Sequence, residues 1–150
     1  MRVVIQRVKE ASVSISGALK ADIGYGLLVF VGIEEADTDE DIDWLCNKIF
    51  NLRIFSDESG AMNLSIQDID GELLVISQFT LFASTKKGNR PSFLRSAKPV
   101  FAVPLYEKFL QCLSRISGKL VKSGEFGADM KVSLLNDGPV TIIIDTKNKE

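Results

Sequence analysis

The chain has 150 residues, 45% hydrophobic and 25% charged, the profile of one globular domain large enough to bury a core without disulfide staples. Lys plus Arg number 18 and Asp plus Glu 20, a net charge of −2, so the all-over basic surface of a general nucleic-acid binder is absent, although local basic loops are allowed. There is no histidine, and the only two cysteines, Cys46 and Cys112, form no C-x-x-C pattern; this argues against a zinc site, a Ser-His-Asp triad, a Cys-His pair and a disulfide framework.

Residues 1–8 read as a strand, and the charged, alternating N-terminus is neither a signal peptide nor a membrane span, since no apolar run approaches ~20 residues. Residues 13–16 alternate again and run into a Ser16-Gly17 turn signal. Residues 27–33 are almost continuously apolar, as in a strand buried on both faces. The acidic stretch EEADTDEDID reads as a solvated loop and helix start, capped by Asp37 or Thr38, with Ile42, Leu45, Cys46 and Ile49 following at helical spacing. Residues 52–55 suggest a short strand, SDESGAMN a turn-rich loop, and LLVIS within residues 72–80 a second buried strand. STKKGNRPSFLR, residues 84–95, is a basic loop. Pro104 opens or interrupts a second helix whose apolar face is Leu105, Phe109, Leu110, Leu113 and Ile116, and which Gly118 ends. Residues 131–135 and 140–145 are the last strands, and KNKE is a polar tail expected to fray. Both cysteines fall in helical patterns, as buried reduced thiols. The sum is a single mixed α/β domain over residues 1–150, with two main helices packed on a sheet whose strand order stays open.

Three segments could carry chemistry. Ser77-Gln78-Phe79-Thr80 emerges from an apolar strand, either at the mouth of a site or simply into solvent. The Thr80 hydroxyl is a conceivable nucleophile, but it needs a base, and an internal threonine lacks the α-amine that such nucleophiles commonly borrow. Lys86, Lys87 and Arg90, with Arg95 and Lys98 beyond, form either a solvated loop or a phosphate grip. Gly138-Pro139 inside a strand pattern marks an edge, a bulge or a turn, of which the turn is the commonest; its isomer does not follow from sequence.

Together these segments resemble the D-aminoacyl-tRNA deacylase family in its common bacterial and eukaryotic form. The likeness runs through MRVVIQRVKEASV, SQFTL, KKGNRPSF, PVFAVPLYEKF and GEFGADMKVSLLNDGPVTIIID, essentially the whole chain; Phe82 stands where an aromatic or other apolar residue is usual. The resemblance implies a three-layer α/β/β fold, a homodimer in the cytoplasm, and no cofactor, metal, membrane or DNA. It implies hydrolysis of the ester joining a D-amino acid to the 3′-terminal adenosine of tRNA, and of glycine mischarged on tRNA(Ala). It implies that Gly138-Pro139 is cis and reaches across the dimer interface into the partner's site, with Arg7 bracing it. Ser77, Gln78, Phe79 and Thr80 would line the pocket, with the Phe79 and Thr80 backbone facing the reacting carbonyl and Ala102 near the substrate's α-amino group. Lys86, Lys87 and Arg90 would hold the RNA.

Such chemistry needs no histidine. An aminoacyl ester is already activated, backbone N–H groups stabilise an oxyanion by ~2.7–4 kcal/mol per donor, and the resemblance assigns assistance to the adenosine 2′-hydroxyl. A backbone wall that rejects L side chains by clash cannot reject glycine, which has none. Two rival expectations are a threonine-nucleophile hydrolase on Thr80 and a non-catalytic RNA-end-binding dimer.

Overall fold

In the computed structural model, which describes residues 1–150, the N-terminal alternation runs on without a break. β1 spans Arg2–Ile15, turns at Ser16 and Gly17 with φ of 51° and 79°, and returns antiparallel as β2, Ala18–Ile23. Positive φ at both turn residues matches the twist of a tight hairpin. The two strands expected at residues 1–8 and 13–16 are therefore one. The reason lies at the far end of the chain: β8, Met130–Asp145, pairs antiparallel with β1 from Arg2 opposite Asp145 to Ile15 opposite Met130 and keeps the intervening residues extended.

β3, Gly26–Gly32, lies antiparallel to the first half of β1 and parallel to β6, Glu72–Ser77, which β7, Lys122–Ser123, extends. The mixed sheet has the order β2-β1-β3-β6-β7, with β8 on β1. β3 and β6 are buried on both faces, as their apolar runs predict. β4, Phe55–Ser56, and β5, Met62–Leu64, form a separate ribbon that begins three residues later than the strand expected at 52–55, because Leu52 caps the preceding helix.

Two helices, α1, Asp39–Asn51, and α2, Pro99–Ser117, pack together on one face of the sheet. Thr38 caps α1, and its N–H and hydroxyl both donate to the Asp41 carboxylate, at 2.9 and 3.0 Å. Pro99, not Pro104, opens α2, where its fixed φ suits the first helical position. Pro104 is accommodated within the helix, and the carbonyl it leaves unbonded belongs to exposed Val100. Gly118 ends α2 with φ 66°.

Val3 and Ile5 of β1 meet Leu27, Val29 and Val31 of β3 and Leu45, Ile49, Phe109 and Leu113 of the helices in the main core. The opposite face of β3 and β6, carrying Leu28, Leu74 and Ile76, packs on Val8, Ala11 and Val13 of the same β1 and Ile23 of β2. β1 serves both cores because its register against β8 shifts between Gln6 and Val8 and again between Val8 and Glu10. These bulges swing its second half, with β2, across the far side of β6 and β7. The result is three layers, α/β/β. Each fully buried aliphatic side chain contributes about 1.5–3 kcal/mol, so the second interface is as much a part of the core as the first. The C-terminal tail is tied at its start, with Lys147 Nζ 2.7 Å from Asp41 Oδ2, so the fraying expected of KNKE does not extend to its first residue. Cys46 and Cys112 are buried and unbridged. No helix is long and apolar enough to cross a membrane.

Candidate active site

β6 stops at Ser77 instead of continuing to Thr80. Gln78 N–H bonds the Val31 carbonyl at 2.7 Å, and the chain then tightens into a single 3-10 turn, Phe79–Phe82. Within that turn Leu81 N–H bonds the Gln78 carbonyl, whereas the N–H groups of Phe79 and Thr80 come too early to have a carbonyl of the turn. Ser96 Oγ donates to the Phe79 carbonyl at 2.7 Å, and the Phe93 ring meets the Phe79 ring edge-on at 5.1 Å. The Gln78 side-chain amide donates to Thr80 Oγ1, so the threonine hydroxyl is engaged by an amide, not by a base.

This turn forms one lip of a cleft of about 500 Å³. Ser77, Gln78 and Phe79 line it, Ala102 and Pro99 at the N-terminal end of α2 form its floor, and residues 126–132 form the opposing wall. Asp129 is the only ionisable side chain in the lining, and Lys131 Nζ sits 3.0 Å from its carboxylate. Beneath Ala102, Tyr106 donates its hydroxyl to the Val75 carbonyl, and burial pushes its pKa up to about 12, where it holds its proton at neutral pH. The cleft is thus walled mainly by apolar groups, and its one carboxylate is paired with Lys131. Such a wall suits an already activated ester better than an amide. Ser96, Ala97 and the 126–132 wall were not singled out residue by residue from the sequence. The GEFGADM run that forms the wall has no local pattern marking it as a cleft; only its place opposite the turn does.

Gly138 and Pro139 lie elsewhere. Gln6 pairs with Thr141 and Val8 with Asn136, so residues 137–140 bulge out of β8 opposite Arg7 alone. The turn favoured by sequence is instead a bulge inside one continuous strand, a place where proline's missing N–H breaks no ladder bond. The Gly138–Pro139 peptide is cis, Gly138 has φ 130°, and both residues are exposed. Arg7 Nε donates to the Asp137 carbonyl at 3.0 Å, and Arg7 Nη1 donates to the Ile54 carbonyl at 2.6 Å. From Val132 in the cleft wall the bulge is six residues along β8, roughly 20 Å of extended chain. The structure therefore gathers Ser77, Gln78, Phe79 and Ala102 in the cleft, with Thr80 behind the lip, and gathers Arg7, Gly138 and Pro139 at a second place. Lys86, Lys87 and Arg90 stand exposed on a loop that Ser84 and Ser92 close by paired backbone bonds of 2.8 and 2.9 Å, between the 3-10 turn and Phe93.

A family model described as D-Tyr-tRNA(Tyr) deacylase matches residues 4–145. A D-aminoacyl-tRNA deacylase of Bacteroides thetaiotaomicron is 67% identical over 150 residues, covering 100% of both chains. Its counterpart in Flavobacterium johnsoniae is 63% identical over 150 residues, again with 100% coverage of both. A solved structure described as c-Myc DNA Unwinding Element Binding Protein superposes with a TM-score of 0.91 at 41% identity, over 97% of this chain and 98% of that one. A second, from a structural analysis of a probable eukaryotic D-amino acid tRNA deacylase, superposes at 0.82 with 17% identity over 95% and 97%, a likeness of fold. With residues 4–145 matched by the family model and relatives 63–67% identical over the full length, the chain belongs to the D-aminoacyl-tRNA deacylase family.

Proposed function

We propose that the protein hydrolyses the ester of D-aminoacyl-tRNA, and of glycyl-tRNA(Ala), acting in the cytoplasm as a homodimer in which each protomer lends its Gly138-Pro139 bulge to the other's cleft. The observation that carries this reading is the cleft itself, whose lip is the 3-10 turn with the N–H groups of Phe79 and Thr80 unused by the turn, and whose one ionisable side chain, Asp129, is paired with Lys131. Those N–H groups stabilise the tetrahedral oxyanion, while water attacks with help from the adenosine 2′-hydroxyl. The bulge is exposed and distant from its own cleft, which supports its use as a wall in a partner's. Facing that wall, a D side chain points outward and an L side chain collides. The substrate's α-amino group sits towards Ala102, and Lys86, Lys87 and Arg90 hold the tRNA backbone.

An open strand edge supports the dimer. β8 pairs only with β1, and exposed Leu134, Leu135 and Ile143 stand along it. The net charge of −2 shows no overall basic bias of the kind that a general nucleic-acid binder carries. Incubating the purified protein with D-Tyr-tRNA separates the deacylase from a mere binder: release of D-tyrosine over many turnovers is expected, and filter binding without release would refute it. Thr80→Ala should keep activity within ~10-fold, against a loss of ~10³-fold or more for a nucleophile.

A further inference from the structure

Asp137 immediately precedes Gly138 in the bulge, and two cations of β1 share its carboxylate. Arg7 Nε lies 3.1 Å from Oδ2, and Lys9 Nζ lies 3.5 Å from Oδ1. The same Arg7 nitrogen also bonds the Asp137 carbonyl, and the far end of the guanidinium is anchored on Ile54. Lys9 in turn sits 4.6 Å above the Tyr25 ring, which meets Phe55 edge-on at 5.3 Å. The residue before the glycine is therefore fastened by main chain and by side chain, through β1 to the segment around β4.

We propose that Asp137 is a positioning residue for chiral discrimination, its carboxylate, gripped by Arg7 and Lys9, fixing the direction in which Gly138 and Pro139 project. The proposal rests on the reading of the bulge as the wall that rejects L-aminoacyl groups. A wall that sorts by clash works only while it stays in place, and a misplacement of ~1 Å is enough to change rates by ~10²-fold. The single bond from Arg7 to the Asp137 carbonyl leaves the bulge free to pivot; the carboxylate contact removes that freedom. The Arg7 and Asp137 side chains are 9% and 21% exposed, so water competes poorly for this pair, whereas Lys9 is 55% exposed and holds less firmly. A pivoting wall yields to an L side chain, so the loss appears as faster L-ester hydrolysis.

Rates on D-Tyr-tRNA and L-Tyr-tRNA, with melting temperatures, test this in the wild type, Asp137→Ala and Asp137→Asn. The D-to-L ratio should fall at least ~10-fold in Asp137→Ala, mainly through a higher kcat on the L-ester. It should recover in part in Asp137→Asn, whose amide oxygen keeps a polar contact for Arg7 without the charge. A wild-type ratio in Asp137→Ala overturns the proposal, and should that variant fail to fold, a wild-type ratio in Asp137→Asn does so instead. A selective wild type with unaltered variants thus sinks this inference alone. A wild type that treats both esters alike sinks the reading beneath it as well.

Discussion

Gly138 is the residue where conformation and space agree most sharply. Its φ of 130° is one that L side chains rarely adopt, and a Cβ there would sit 3.0 Å from Val140 Cγ2 and 3.2 Å from Arg7 Nη2. Gly138→Ala is expected to leave the fold cooperative but to lower kcat/KM on D-Tyr-tRNA by at least ~10²-fold, because the clash moves the backbone proposed to meet substrate. Steady-state kinetics beside a thermal melt decide it; wild-type turnover would contradict the role given to the bulge. At this scale the motif residues were legible: SQF marks one lip of the cleft, and Gly138-Pro139 announces irregular backbone. The opposing wall at residues 126–132 was not, because a cleft wall made of ordinary residues is defined only by what lies across from it.

Among the elements, α1 was plain from its spacing and its acidic start, since capping and periodicity are local. Its cap also has a pH signature. Burial alone would raise the Asp41 carboxyl, but hydrogen bonds from Lys147, Thr146 and Thr38 outweigh it and hold the group well below the usual carboxylate range. A depressed carboxylate contributes stability that is full above the unfolded value near ~4 and is lost as pH falls through the folded one. Asp41→Asn should therefore cost about 1–2 kcal/mol at pH 7, seen as a drop of about 3–6 °C in Tm, with the difference shrinking below about pH 4. A gap that stays constant down to pH 2 would contradict it. β1 and β8 were each read as two pieces, for a reason of the opposite kind. Arg2 pairs with Asp145 and Ile15 with Met130, and continuity that a partner over a hundred residues away imposes leaves no trace in a local window.

The whole molecule presents an open edge along a sixteen-residue strand and carries its bulge away from its own cleft. Leu135 and Ile143, 55% and 69% exposed, are poor choices for a surface that stays in water. The double variant Leu135→Lys, Ile143→Lys is expected to sediment as a folded monomer and to lose activity on D-Tyr-tRNA, since each cleft then lacks the wall proposed to come from its partner. A fully active monomer would contradict supply in trans. The most direct measurement of the central claim, that a backbone wall sorts esters by the handedness of the α-carbon, sets D-Tyr-tRNA, L-Tyr-tRNA and Gly-tRNA(Ala) side by side with the wild-type protein. Rapid release is expected from the D-tyrosyl and glycyl esters, and at least ~10²-fold slower release from the L-tyrosyl ester. Equal rates on the two tyrosyl esters, or a glycyl ester spared like the L form, would contradict it.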